Sequence, residues 1–113
     1  MAVVYVTNLI INAGSDFEHV FHLQDSAINS VVDITNYTAS SQLRKWAGSS
    51  AATTFTTEIV PPYAIGRIKI SLTAEQTSNL KPGRYVYDVL LDRSGFKSRL
   101  VEGSIIVREG VTR

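Results

Sequence analysis

The chain has 113 residues, a formal net charge of +1 and no cysteine. A chain of this length makes one domain and buries roughly 65% of the surface its unfolded form would expose, enough for one core without staples. The absence of cysteine excludes a disulfide framework and a thiolate metal site, and the near-neutral charge leaves no footprint for nucleic acid.

Strand signals dominate in chain order. The first, "VVYVTNLIIN" (Val3 to Asn12), is apolar on both faces. Its opening "AVVYV" is too short to span a bilayer. It also lacks the basic start and long apolar centre of a signal peptide, so the chain reads as made in the cytosol. "AGSD" marks a turn. "FEHVFHLQ" then sets Phe17, Phe21 and Leu23 on one face against Glu18, His22 and Gln24. "DSAINSVVDIT" is irregular, and a tight helical turn is expected over Asp33 to Tyr37. "YTASSQLRK" alternates again, with Tyr37, Ala39, Ser41 and Leu43 sharing a face.

"AGSSAAT" (Ala47 to Thr53) is a loop. "TFTTEIV" is one short strand stopped by Pro61 and Pro62. "GRIKISL" turns Ile68, Ile70 and Leu72 inward. "TAEQTSNL" is the one helical candidate, with Thr73 as N-cap and Glu75 and Gln76 in the first turn. "GRYVYDVLLD" and "SRLVEGSIIVRE" form a hairpin around "RSG", and residues 108–113 make a tail. About seven strands with one short helical crossover, and no βαβ rhythm, predict an all-β, immunoglobulin-like antiparallel sandwich spanning residues 1–113.

"LKPGRYVYD" reads as a tyrosine corner. Tyr85 follows a Pro-Gly corner, and its hydroxyl is expected to bond back to upstream backbone. Tyr87 then takes the place where antibody domains carry their second core cysteine. Alternation puts Tyr85, Tyr87, Val89, Leu91, Val101, Ile105 and Val107 inside. Val86, Leu90, Leu100 and Ile106 then face outward beside Asp88, Glu102 and Ser104. Four aliphatics on neighbouring outward positions predict an interface. The alternatives are a bulge that slips the register, or cover from the N-terminal segment of the same chain. That segment, residues 1–12, is itself expected to be a docking arm. Val3, Val4, Tyr5 and Val6 would add to another chain, because a bare apolar edge strand invites aggregation.

Chemistry is sparse. His19 and His22 are the two histidines, and their spacing of three puts them on opposite faces of a strand, against a shared metal. His19, in phase with Phe17 and Phe21, reads as a core or strand-end histidine. No nucleophile elbow and no phosphate-binding glycine motif occurs. Asp88 and Glu102 on adjacent strands have the makings of a glycosidase-like pair, yet solvated strand faces carry such charges routinely. "NYT" at Asn36 to Thr38 matches a glycosylation acceptor, which matters only on a secretory route. Arg44, Lys45, Lys81, Arg84, Lys97 and Arg99 are scattered over several strands and read as a solvated face. Trp46 has two readings: a rim residue packed under the Ala47–Thr53 loop, which is favoured, or an exposed platform for a sugar.

The ordered set of motifs carries a resemblance. Asn8, Ile11 and Gly14 give an "N-x-x-I-x-x-G" opening, and Asp33 to Thr35 an apolar-centred turn. Leu72 to Thr77 give "L-T-x-x-Q-T", Pro82 to Asp88 "P-G-x-Y-x-Y-D", and Arg99 to Val107 the closing strand. Together they are similar to small virion structural proteins of tailed phages, particularly contractile-tailed phages of cyanobacteria. They also resemble the immunoglobulin-like N-terminal domain of phage baseplate upper proteins. Those proteins continue into a further region, so the expectation here is a free-standing copy of the module or an adaptor.

The resemblance implies a non-enzymatic structural protein of the tail, baseplate or fibre attachment, located in the virion after synthesis in the host cytoplasm. It implies protein partners in the particle, among them copies of the chain itself. It implies no cofactor, metal, nucleic acid, membrane or small-molecule substrate. The alternatives are a carbohydrate- or receptor-binding adhesin, with Trp46 as the ligand contact, and a capsid or neck decoration protein.

Overall fold

Period-two alternation builds two sheets that share one apolar interior. The structure, a computed structural model, describes residues 5–22, 24–25, 30–31, 36–61 and 66–111. Its strands in chain order are β1 (Tyr5–Val6), β2 (Leu9–Asn12), β3 (Phe17–His22), β4 (Gln24–Asp25), β5 (Ser30–Val31) and β6 (Thr38–Arg44). They continue with β7 (Thr53–Thr54), β8 (Thr56–Val60), β9 (Arg67–Leu72), β10 (Gly83–Arg93) and β11 (Phe96–Arg108). One helix, α1 (Ala74–Ser78), lies between β9 and β10. The larger sheet runs β1-β11-β10-β6-β7, with β2 also on β11, and the smaller runs β3-β9-β8. This is the all-β sandwich that the sequence predicts. The β4–β5 ladder stands apart from both sheets. Val3, Val4, Leu23 and Asp33 to Thr35 lie outside the described residues.

The core joins the inward faces of both sheets: Ile11, Leu43, Val89, Leu91, Val101, Ile105 and Val107 from the larger, Phe21, Ile68, Ile70 and Leu72 from the smaller. Phe21 on β3 stacks on Tyr87 of β10, with ring centroids 6.3 Å apart. β3 lies in the smaller sheet and β10 in the larger, so this pair of rings bridges the two. Here aromatic packing spans the sheets, and Phe55 extends it with its centroid 6.5 Å from Tyr87 and 6.0 Å from Phe17. His19, half-buried, meets Phe21 edge-on at 4.6 Å, while His22 is exposed on the other face. Burial, and then the neighbouring His22, hold the His19 imidazole below its ordinary pKa.

The Tyr87 hydroxyl donates to the Thr7 carbonyl at 2.6 Å. Burial pushes its pKa well above the ordinary value, which is near 10. The unfolded chain therefore releases this proton first. The stability contributed by protonated Tyr87 is full below about pH 10 and is lost as pH rises above it. Urea denaturation across pH should show wild type losing stability faster above about pH 10 than Tyr87→Phe does. Parallel alkaline limbs would contradict a phenol buried in this way.

The tyrosine corner is present, with the Tyr85 hydroxyl donating to the Lys81 carbonyl at 2.8 Å. Tyr85 itself is only half-buried against the core, and the Lys45 ammonium lies 4.8 Å from its ring centroid. Tyr85→Phe should cost about 1 kcal/mol in chemical denaturation, the net worth of one hydrogen bond. An unchanged midpoint would show that the bond contributes nothing. The hairpin closes on Ser94 and Gly95, both at positive φ, as a two-residue turn between twisted strands requires.

Helix α1 starts in a full capping box. Thr73 Oγ1 accepts from the Gln76 amide, and Gln76 Oε1 accepts from the Thr73 amide. Its buried Thr77 ties the helix to the β2–β3 turn: the hydroxyl donates to the Ser15 carbonyl at 2.8 Å and accepts from the Gly14 amide at 3.0 Å.

Four expectations change. The segment from Tyr5 to Asn12 is two strands rather than one, and they pair in parallel with β11 of the same chain in a single register, from Tyr5 opposite Val101 to Asn12 opposite Arg108. The larger sheet is therefore mixed. The expected pairing with another chain is met, on this side of the segment, by the chain's own last strand. "TFTTEIV" also divides: β7 pairs with β6, β8 pairs with β9, and the chain changes sheet at the buried Phe55. Finally, the β10–β11 register shifts between Val89 and Leu90, so Val89 opposes Val101 but Leu90 opposes Arg99. Leu100 is the extra residue of that bulge and is 1% exposed. It belongs to the core, against the outward position that strict alternation gives it.

Candidate binding surface on the larger sheet

The two outer faces differ in chemistry. On the smaller sheet, Lys69 of β9 sits between Glu58 of β8 at 3.3 Å and Glu18 of β3 at 3.9 Å. Arg67, Ser71, Thr56 and His22 share that face with two half-buried valines, Val20 opposite Lys69 and Val60 opposite Arg67. The outer face of the larger sheet instead shows Val6 at 73% exposure, Ile10 at 56% and Ile106 at 43%. Ile10 and Ile106 are direct cross-strand partners.

Register explains the rest of the face. Val6 opposes Glu102, Glu102 opposes Asp88, and Asp88 opposes Gln42, forming one row across four strands. The next row holds Ser104, Val86 and Arg44, and the one beyond it Ile106 and Arg84. Val86 and Leu90 are half-buried between these polar neighbours, so the apolar patch centres on the β1/β2 edge and Ile106. Trp46 follows β6 by two residues and is 62% exposed. Its indole lies against Gly48 of the Ala47–Thr53 loop but is left largely uncovered by it. Together Val6, Trp46, Val86, Leu90 and the charged rows line a shallow groove of about 740 Å³.

Three of the six basic residues gather at this groove rather than scattering. Arg99 pairs with Asp88 at 3.3 Å. Arg44 donates to the Ser49 carbonyl and, at 3.0 Å, to Gln42 Oε1. Arg84 lines the groove with no side-chain partner among the described residues. Asp88 and Glu102, the carboxylates singled out in the sequence, face each other directly across β10 and β11. Asp88 is engaged by Arg99, so the pair is set in a charged network on an open sheet face rather than in an enclosed cleft.

Asn8 was read only as part of a motif. Its Oδ1 accepts from both the amide and the hydroxyl of Ser104 at 3.1 Å, fixing the break between β1 and β2 beside the groove. No local sequence signal marks that role. Among the described residues, no group of three or more His, Asp or Glu side chains is placed to hold a metal, and no helix is long and apolar enough to cross a membrane.

No protein-family model matches the chain, and no curated protein matches it. Solved structures do. A family 123 glycoside hydrolase from Clostridium perfringens matches with TM-score 0.53 and 14% identity, over 96% of this chain and 24% of that one. InlP of Listeria monocytogenes matches with TM-score 0.49 and 14% identity, over 90% of this chain and 26% of that one. The chain spans about a quarter of the length of each. The likeness to the hydrolase is one of fold.

Proposed function

We propose that this protein is a non-catalytic structural module of a tailed-phage particle, acting through contacts made by the outer face of its larger sheet. One observation supports the contact surface above the others: Val6, Ile10 and Ile106 are exposed together on that face, while the outer face of the smaller sheet centres on the Glu18, Lys69 and Glu58 ion pairs and keeps its aliphatics, Val20 and Val60, half-buried. A solvated antiparallel sheet is normally polar outside, and an exposed apolar patch marks a partner. The motif order from Asn8 to Val107 supports the phage setting, in tail, baseplate or fibre attachment, with other virion proteins and further copies of the chain as partners. Mass spectrometry of purified particles tests this placement. Presence in fixed ratio to the other particle proteins is the expected result, and absence from particles overturns it.

Trp46 favours a second reading, a carbohydrate- or receptor-binding sandwich. An exposed indole beside hydrogen-bonding side chains offers an apolar platform with polar neighbours. A glycan array with signal supports this reading, and one without signal removes it.

A further inference from the structure

The groove beside Trp46 is asymmetric in charge. Arg44, the last paired residue of β6, opposes Val86, and Trp46 and Arg84 line the groove with it. Arg44 and Arg84 bring two guanidinium groups to this end. Among the described residues, Arg44 bonds only neutral oxygens, the Ser49 carbonyl and Gln42 Oε1, and Arg84 has no side-chain partner. The acidic side chains of the groove lining, Asp88 and Glu102, stand one row beyond Arg44. Asp88 and Glu102 are four residues along their strands from Arg84 and Ile106, about 13 Å at the usual strand rise. Asp88 is further neutralised by Arg99. Of the charged side chains that line the groove, Arg84 is thus the one farthest along the strands from the lining carboxylates.

We propose that the Trp46 end of the groove binds a carboxylated sugar, the pyranose face lying on the indole and the carboxylate held by Arg84 with support from Arg44. This rests on the glycan-binding reading and narrows it to acidic saccharides. Two features suit that ligand. The exposed indole offers an apolar face for ring C–H groups. Planar guanidinium groups match a carboxylate in two parallel hydrogen bonds, and Arg84 is free to make them. The same site disfavours an acidic peptide side chain as sole occupant, because the platform would then stay uncovered.

The chain has one tryptophan, so its emission reports this site alone. Wild type is titrated with oligogalacturonate, sialyllactose and a neutral maltooligosaccharide, following Trp46 fluorescence, with calorimetry for variants that lack the indole. The expected result is a saturable change with at least one acidic sugar, none with the neutral one, and weakening as salt is raised. Arg84→Gln should weaken binding roughly tenfold to a hundredfold, the effect of losing a charge-assisted bond. Arg108→Gln, on the same sheet but outside the groove, should leave it unchanged, and Trp46→Ala should abolish heat release. Equal binding of neutral and acidic sugars, or unaltered affinity in Arg84→Gln, overturns the acidic assignment and leaves the glycan reading standing. No response to any of the three sugars overturns both. Loss of particle incorporation in Trp46→Ala and Arg84→Gln without any sugar binding gives the groove to a protein partner, and likewise overturns the proposal.

Discussion

Gly103→Val should destabilise the protein by about 3 kcal/mol, measured from the urea midpoint. A side chain at 103 would run into the backbone carbonyl of Thr7, with Asn8 Oδ1 3.2 Å away on the same side. That carbonyl has nowhere to go. Its oxygen accepts the Tyr87 hydroxyl at 2.6 Å, and the Thr7 amide donates to the Glu102 carbonyl at 3.0 Å. Moving Thr7 breaks both bonds and strands a buried phenol, each loss costing about 1 kcal/mol on top of the steric term. Gly95→Ala provides the contrast. Gly95 has φ +87° and open space around it, so its cost is backbone strain alone, about 1 kcal/mol. Equal effects at the two positions would show that the N-terminal strands do not press on Gly103.

Leu100→Ala should cost about 2–5 kcal/mol, the range for truncating a fully buried leucine. Ile106→Ala should stay within about 0.5 kcal/mol, as surface substitutions do. Strict alternation along β11 gives the two residues the same outward face and the same small effect. The bulge separates them: it turns Leu100 into the core with Val101 and leaves Ile106 outside. Thermal or chemical denaturation of the two variants decides the matter, and similar costs would argue that β10 and β11 keep one register throughout.

Local features were legible where their causes are local. The alternation of "GRIKISL" puts Ile68, Ile70 and Leu72 inside, Thr73 caps α1, and the Pro-Gly corner places the Tyr85 hydroxyl on upstream backbone. What escaped the sequence depends on distant partners. The break between β1 and β2 follows from Gly103 and Ser104, far along the chain. The change of sheet at Phe55 leaves period two intact, so the residues alternate as though the strand were continuous. The adjacent apolar pair Leu100-Val101 was a visible sign of a bulge, since an unbroken half-buried strand would place one of the two in water.

The candidate surface was partly legible for the same reason. Val6, Val86, Leu90 and Ile106 reach the outer face as alternation requires, but their exposure depends on neighbours that strand pairing supplies. Val86 and Leu90 are half-covered, whereas Val6 and Ile106 are not. Trp46 follows the end of β6, where alternation no longer fixes direction. The convergence of Arg44, Arg84 and Arg99 from three strands at the groove comes from register alone.

The most direct test of an assembly module acting through its larger sheet is quantitative mass spectrometry of purified particles. Particles made with wild type are compared with particles made with an Ile10→Lys, Ile106→Lys double variant whose fold is verified in solution. These two side chains face each other across β2 and β11 on the exposed face. The account predicts wild type at a fixed ratio to the other particle proteins, and the folded variant left behind in the lysate. Particles that lack the wild-type chain, or that take up the double variant at the wild-type ratio, would contradict it.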